Sequence, residues 1–225
     1  MVDYLNNIKK PFSDVKTLIV GTVLSAIPIV NLLVSGYVLK VAEDTIKGKK
    51  GLREFAIGDI VEYIVKLVFA FVISLGYMII PLALIGVGVG GAIGGLLSDP
   101  MALSDPMAAT GVFTAALAAG GVFIIIGVLL GLIAAILLPM AQMKWLKAGS
   151  LGAAFNILDV VKSALTAKYI ITLIVAAVYG IIVMMIAAIL AGILTITIVG
   201  PLVVAGFASF ILNVAVMSMY AETLK

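Results

Sequence analysis

Carboxylates are the side chains of this sequence best suited to chemistry, because its 225 residues include no histidine and no cysteine. Those two residues supply the commonest general base and the thiol nucleophile, so a hydrolase or transferase here would need converging carboxylates or a Ser–Lys pair. Asp14, Asp59 and Asp159 each begin a helix-like stretch, but they lie far apart in the sequence. We therefore expect no enzymatic activity. We predict that these acids cap helices or stabilise first turns, with a cation or partner contact as the alternative.

Patterns for cofactors, metals and nucleic acids are weak or missing. No glycine-rich loop ends in Lys-Ser or Lys-Thr, as a phosphate-binding loop does. The segment 98–102, Ser-Asp-Pro-Met-Ala, recurs at 104–108, and we interpret both copies as turn-and-cap units because a calcium site usually needs more oxygen ligands. The 14 basic residues are too few and too regularly placed between apolar runs to indicate nucleic-acid binding. We expect no cofactor, no metal site and no nucleic-acid partner.

The rest of the chain is too apolar for a water-soluble domain. It is 64% hydrophobic and 11% charged, whereas soluble domains carry about 25% charged residues. Residues 67–143 contain only two charged side chains, and residues 169–221 contain none. Long continuous apolar runs predict membrane-spanning helices, and they do not alternate as the strands of a barrel do. We predict an all-α, polytopic transmembrane helical bundle with short interfacial amphipathic helices, in a single integral-membrane domain covering 1–225.

Four spans are predicted after residue 60, and the segment before them is ambiguous. Residues 17–39 form either one span or a hairpin broken at Ile27-Pro28, which gives five to six membrane segments. The hairpin is favoured because basic residues flank the segment on both sides. The four later spans are predicted at about 64–86, 107–143, 169–193 and 199–220, with Gly200-Pro201 as the turn between the last two.

The basic residues also predict how the chain is oriented in the membrane. They lie before residue 67, between 144 and 168, and at the C-terminus, whereas the segments around 87–106 and 200 contain none. The positive-inside rule places basic segments in the cytoplasm. We therefore predict a multi-pass protein of the cell membrane with cytoplasmic basic loops and a cytoplasmic C-terminus.

Two amphipathic stretches, 51–62 and 150–162, can lie flat in the membrane interface with their apolar sides in the lipid. The basic loop around the first stretch would then reach anionic headgroups, with a contribution of about 1 kcal/mol from each basic residue. Alternatively, these loops serve only to set the topology. The residues predicted to contact the lipid surface are Lys47, Lys49, Lys50, Arg53, Phe55 and Phe155.

Glycines at intervals of four predict that helices approach each other closely. Gly127 and Gly131 lie in a strongly apolar run and are the better candidates. Gly86, Gly90 and Gly94 share the spacing, but a glycine-rich flexible end before the next loop is the alternative, because glycine is unfavourable in a helix. Such contacts could form within the chain or between subunits.

Two helix breaks are predicted, one at Pro28 and Asn31 and one at Gly200 and Pro201. Broken helices at matching places in repeated halves are typical of transporter sites. The spans nevertheless lack the intramembrane charges of proton-coupled pumps.

Polar side chains at membrane depth need hydrogen-bond partners, so we expect them to face the bundle interior or water. They are Asn31, Ser35, Tyr37, Ser74, Tyr77, Gln142, Thr195, Thr197, Ser209 and Asn213.

A weak internal repeat is also visible. Residues 55–61 match 155–161, and residues 31–37 match 201–207, each pair tying a polar or glycine residue to similar neighbours. We interpret this as a duplicated unit of an amphipathic helix followed by a hairpin. The possible halves are 12–97 and 107–225.

Several motifs, taken in order, resemble a known membrane family. They are Lys10-Pro-Phe-Ser-Asp14, Ile27-Pro-Ile-Val-Asn-Leu-Leu-Val-Ser-Gly-Tyr37, the basic linker 47–53, Leu138-Pro139, Gly149-Ser-Leu-Gly-Ala-Ala-Phe155 and Val199-Gly-Pro201. The chain resembles, over nearly its whole length, the uncharacterised prokaryotic integral-membrane family called domain of unknown function 4013. The resemblance implies a helical membrane fold in an archaeal or bacterial protein, and it implies no activity.

Two functions fit these observations. The first is a non-catalytic scaffold or accessory subunit that contacts membrane lipids and either forms a homo-oligomer or joins a partner membrane protein. Glycine seams, interfacial helices and spans without charge favour it. The alternative is a carrier or channel for a small or apolar solute, which the two predicted helix breaks favour.

Overall fold

The computed structural model describes residues 2–98, 104, 106–197 and 199–225, and within these ranges the chain is helical and contains no strand. Four helices are long and apolar enough to cross a membrane, which confirms the predicted all-α membrane bundle. The helices are α1 (Tyr4–Lys9), α2 (Val15–Ser25), α3 (Pro28–Ile46), α4 (Ile60–Ser98), α5 (Pro106–Ala148), α6 (Leu151–Phe155), α7 (Ile157–Ala164), α8 (Ala167–Ile193) and α9 (Val199–Thr223), with 3-10 turns at Lys10–Phe12, Ile57–Asp59 and Leu194–Ile196.

The chain divides into two compact units. Unit 1 comprises Met1–Ile73 and Pro139–Lys225, and unit 2 comprises Ser74–Leu138. The boundaries fall inside α4 and α5, so each of these helices contributes to both units. The division does not follow the proposed repeat halves 12–97 and 107–225, and the repeat stays a prediction.

The four long helices coincide with the four predicted spans, but two of them extend further. α4 has 39 residues and α5 has 43. At about 1.5 Å per residue they are roughly 60 Å long, about twice the thickness of a hydrocarbon core. The glycine-rich segment at the end of α4 remains helical to Ser98.

The segment 17–39 is broken, as the hairpin prediction required. α2 ends at Ser25, Ile27 is extended, and α3 begins with Pro28 in its first turn. Proline disfavours a helical conformation in the residue before it, which explains the break. α2 has 11 residues, so it reaches only about 16 Å.

α3 is also not a span of the long apolar kind, because it carries Lys40, Glu43 and Asp44. Within the described residues the structure thus has four long apolar helices and the α2–α3 pair, where five to six membrane segments were predicted.

The second break differs from its prediction. The chain turns at Leu194–Ile196, and Gly200 and Pro201 lie in the first turn of α9 rather than between the helices. Proline is well tolerated in a first turn, where its missing N–H would have no partner inside the helix. The hydroxyl of Thr197 accepts a hydrogen bond from the backbone N–H of Gly200 at 3.1 Å. The interpretation of Gly200-Pro201 as the turn itself was therefore wrong.

The core of unit 1 is aromatic. The Tyr37 ring stacks on Phe210 with 6.1 Å between centroids and meets Tyr63 edge-on at 5.7 Å. All three side chains are fully buried. Two glycines let helices approach closely around this core. A Cβ at Gly36 would overlap the backbone of Tyr63, where α3 meets α4, and a Cβ at Gly206 would lie 2.5 Å from Thr22 O, where α9 meets α2.

Unit 2 is a pair of antiparallel helical segments held by close backbone contacts. A Cβ at Gly88 would lie 2.7 Å from Gly120 O, and a Cβ at Gly120 would lie 2.5 Å from Gly88 O. These two glycines therefore set the closest approach of the two segments.

Candidate functional site

The three acids singled out in the sequence lie on different elements, and each has its own local partner. Asp14 caps α2, because its Oδ1 accepts a hydrogen bond from the Thr17 N–H at 2.6 Å, and this bond lowers the pKa of the Asp14 carboxyl. The capping prediction is confirmed for Asp14. Asp159 lies in the first turn of α7 and binds Lys144 at 2.7 Å. Asp59 pairs with Arg53.

Four charged residues from α3 and α4 form an inner charge cluster of Lys40, Glu43, Glu62 and Lys66. Lys66 Nζ lies 2.6 Å from Glu43 Oε2 and 3.8 Å from Glu62 Oε1. Lys40 pairs with both acids as well. The side chains of Lys40, Glu43 and Lys66 are only 12–13% exposed. Burying single charges is costly, so this cluster is stable only because every member is paired.

Lys47, four residues after Glu43, also pairs with Glu43 and adds a fifth charge to the cluster. Burial alone would raise the pKa of the Glu43 carboxyl. The ammonium groups of Lys47, Lys66 and Lys40 outweigh burial and lower that pKa to about 2. Glu43 is therefore the anion that holds the cluster together.

A tryptophan covers one side of the inner charge cluster. Lys66 Nζ lies 5.7 Å from the centre of the Trp145 ring, a cation–π distance. Phe69 meets the same ring edge-on at 5.7 Å. A groove of about 210 Å³ opens here, with Glu43, Glu62, Lys66, Phe69 and Trp145 in its lining. The charges in this groove are balanced within the chain.

A second charge pairing lies beside the first and includes residues predicted to contact lipid. Asp44 binds Lys49 at 2.9 Å and Arg53 at 3.3 Å, and Arg53 also binds Asp59 at 2.5 Å. The bond to Asp59 raises the pKa of the Arg53 guanidinium above its ordinary value. Asp59 thus serves as an ion-pair partner of Arg53, and it also lies in the first turn of the 3-10 segment Ile57–Asp59 directly before α4, as a first-turn acid.

The predicted lipid-surface residues therefore differ in their surroundings. Lys47, Lys49 and Lys50 are all exposed. Lys47, Lys49 and Arg53 are ion-paired, whereas no ion pair of Lys50 occurs among the described residues. Phe55 is partly buried, with its ring 5.3 Å from both Tyr37 and Tyr63, and packs against the core of unit 1. Its contact with the lipid surface stays a prediction.

Phe155 ends α6 and is 40% exposed. Its lipid contact, like that of the four basic residues, stays a prediction. The two Ser-Asp-Pro-Met-Ala segments include Asp99 and Asp105, which lie outside the described residues.

The glycines predicted to pack fall into two groups. A Cβ at Gly127 would lie 2.9 Å from Pro81 O, and a Cβ at Gly131 would lie 3.7 Å from Pro81 Cβ, both within unit 2. Gly86, Gly90 and Gly94 have no neighbour within 4 Å of such an atom. The packing role of these three stays a prediction that requires a second molecule.

Among the residues at the predicted breaks, Pro201 lines a groove on α8 and α9, whereas Asn31, Thr195 and Thr197 line none of the grooves described for unit 1. Asn31 is half-buried, and its carbonyl accepts a hydrogen bond from Ser35 Oγ at 3.2 Å. Thr195 and Thr197 are exposed and donate to their own backbone, at Gly192 O and Leu194 O. The two threonine hydroxyls are thus satisfied locally, whereas the bond at Asn31 involves its backbone carbonyl and not its side-chain amide.

The face formed by α8 and α9, here called the α8–α9 face, holds two grooves of about 390 Å³ and 270 Å³. Both include Leu212 and Asn213 in their lining. The side chain of Asn213 is exposed on this face, so of the two predicted positions, the bundle interior and water, the structure excludes the interior. The larger groove is lined by Met184, Ala187, Ala188, Ala191, Pro201, Val204, Ala205, Ala208, Ser209, Leu212 and Asn213.

The sequence analysis missed the pairing of the charges, the place of Trp145 and the outward position of Asn213. Lys40, Glu43 and Lys66 do carry a signal, since they are charges beside or inside apolar runs, where unpaired charges are rare. Their partners come from different helices, and only the fold reveals them.

Comparison with known proteins supports one assignment. The family model described as a protein of unknown function, DUF4013, matches residues 20–192. No curated protein and no solved structure matches the chain. The matched range includes α3, α4, α5 and nearly all of α8, and with them the inner charge cluster and Trp145. The chain, with its four long apolar helices in the described residues, is a member of DUF4013, a family of proteins of unknown function.

Proposed function

We propose that this membrane protein is a non-catalytic scaffold or accessory subunit, which self-associates or joins a membrane complex through its lipid-facing helices. One observation carries the proposal. In the most apolar window of three of the four spans, only 11–17% of the residues are buried inside the chain, against 50% in α9. Such exposed helix surface is suited to contacts with lipid and with other membrane helices.

The charge pattern supports a structural role as well. The inner charge cluster and the Asp44–Arg53–Asp59 pairing are balanced inside unit 1. Burial and charge partners shift pKa values in enzyme sites and in structural ion-pair networks alike. Because the charges of these two clusters are paired with one another within unit 1, we assign them a structural role and propose no catalytic step.

We place the basic segments and the C-terminus on the cytoplasmic side of the cell membrane, as the positive-inside rule expects. The support is the clustering of basic residues in α1 to α4 and around α7, away from the apolar centres of the spans. Membrane lipids are then the first partners of the protein.

A carrier or channel for a small or apolar solute is the alternative. The groove of about 390 Å³ on the α8–α9 face favours it. Asn31, Thr195 and Thr197 do not support it, because they line none of the grooves of unit 1 described above.

Native mass spectrometry of the protein, released from its own membranes in mild detergent, tests the proposal. We expect a closed homo-oligomer or a complex with a second protein. A monomer that carries a bound small molecule, together with solute flux in liposomes, would contradict it and support the carrier instead.

A further inference from the structure

Asn213 occupies an unusual position for a polar residue. It is the fifteenth of the 25 residues of α9, so it lies about 21 Å from one end of the helix and 15 Å from the other. Its side chain is exposed on the α8–α9 face. In a spanning helix this places an amide near the middle of the hydrocarbon, facing outward.

The amide of Asn213 is only partly satisfied. Its Nδ2 donates to Ser209 Oγ at 3.3 Å, and its Oδ1 accepts no hydrogen bond from any residue that the structure describes. An asparagine amide offers two donor hydrogens and two acceptor lone pairs. Lipid tails cannot bind them, so whatever covers Asn213 favourably must itself form hydrogen bonds.

The surface around Asn213 can receive another helix. The grooves of about 390 Å³ and 270 Å³ flank a ridge that carries Leu212 and Asn213. Five alanines line the larger groove, and two alanines and Gly180 line the smaller one. Small residues permit close approach of helices in a membrane. The α8–α9 face therefore carries both a ridge and the grooves that could receive the ridge of another helix pair.

We propose that a second copy of this chain packs on the α8–α9 face, with the Asn213 amides of the two copies hydrogen-bonded to each other. Copies inserted in the same orientation are related by a two-fold axis along the membrane normal, so Asn213 of each lies at the same depth. An amide carries both donor and acceptor and is complementary to itself. The ridge of one copy then enters a groove of the other.

The inference rests on the proposed self-association and specifies where it occurs. Asn213→Leu removes the amide and keeps a side chain of similar size, and we expect the dimer association constant to fall about fivefold to thirtyfold. Asn213→Gln retains the amide and should retain most of the association. Native mass spectrometry over a dilution series measures both.

Cysteine cross-linking locates the contact directly, because the chain has no cysteine of its own. Asn213→Cys, oxidised in membranes with copper phenanthroline, should give a covalent dimer on a non-reducing gel. The control is Val178→Cys, which is exposed on α8 next to Ala177 but lines neither groove. It should stay monomeric.

The outcomes separate the two proposals. A wild-type oligomer that persists in Asn213→Leu, or equal cross-linking at 178 and 213, overturns this interface and leaves the scaffold proposal intact. A wild-type protein that is monomeric in its own membranes and binds no second protein overturns both, whereas a single copy in complex with a different protein overturns only this interface. A different protein or a lipid found at Asn213 in place of a second copy also overturns the interface.

Discussion

Polar side chains in the inner charge cluster and on the α8–α9 face differ in how far their hydrogen-bonding groups are satisfied within the chain. In the cluster, Lys40, Glu43, Glu62 and Lys66 pair with one another within hydrogen-bonding or ion-pair distance. On the α8–α9 face, Asn213 has one weak bond to its neighbour Ser209 and points outward. The first region is complete in a single chain, whereas the second needs a partner. Mutations should accordingly affect folding in the first region and association in the second.

Loss of Glu43 should have the largest effect on stability. Glu43→Gln leaves Lys40 and Lys66 buried without their main anion, and we expect unfolding to become easier by about 3–5 kcal/mol. Thermal unfolding in detergent, followed by the fluorescence of Trp145, the one tryptophan of the sequence, measures this.

The matched control for Glu43 is Glu54→Gln, which removes an exposed pair with Lys16. An exposed pair contributes about 1 kcal/mol or less. Equal losses in the two variants would show that the inner charge cluster is not a buried, mutually dependent set.

Lys10 should give unit 1 a dependence on alkaline pH. Burial, and next the charge of Lys225, lower its pKa from 10.5 to about 8. Between these values the unfolded chain binds more protons than the folded chain, so stability should rise with pH from about 8 to 10.5. The gain is on the order of 3 kcal/mol.

Lys10→Met should abolish that rise, because no proton is then released at this site on folding. Melting temperatures of both proteins between pH 7 and 10 measure the difference. Parallel curves for the two proteins would contradict the depressed pKa.

Gly36 tests the aromatic core. Gly36→Ala places a Cβ against the backbone of Tyr63, and we expect a loss of about 1–3 kcal/mol from overpacking. Gly90→Ala is the contrasting change, because nothing lies within 4 Å of its Cβ and alanine favours a helix. It should leave the melting temperature of the monomer unchanged or higher.

Substitution of Lys50 should have the smallest effect on stability. Lys49 and Lys50 are both exposed, but Lys49 is paired with Asp44, whereas no ion pair of Lys50 occurs among the described residues. Lys50→Gln should weaken stabilisation by added anionic lipid by about 1 kcal/mol, and Lys49→Gln should weaken it less. Melting temperatures with anionic and zwitterionic lipid compare the two variants. A larger effect from Lys49 would show that ion pairing does not decide which lysines reach the lipid.

The fold was predictable where composition alone determines it. Apolar runs of sufficient length marked the four spans, Pro28 marked the break before α3, and Asp14 marked the cap of α2. These are local effects of chain length, proline geometry and backbone hydrogen bonding. They need no knowledge of what the segment packs against.

Features that depend on packing were not predictable. Gly200-Pro201 has the composition of a turn, but the turn forms earlier and places Pro201 in the first turn of α9. Phe55 belongs to an amphipathic stretch, but it is partly buried and its ring packs against Tyr37 and Tyr63. The side that Asn213 presents depends on how α9 rotates against α8. One sequence without the fold does not determine that rotation.

Single-molecule counting of labelled protein in liposomes, over a range of protein-to-lipid ratios, tests self-association most directly. For wild type, we predict a dimer fraction that rises with protein density, and Asn213→Leu should need about fivefold to thirtyfold higher density for the same fraction. Single molecules at every density would contradict the account, as would identical curves for wild type and Asn213→Leu.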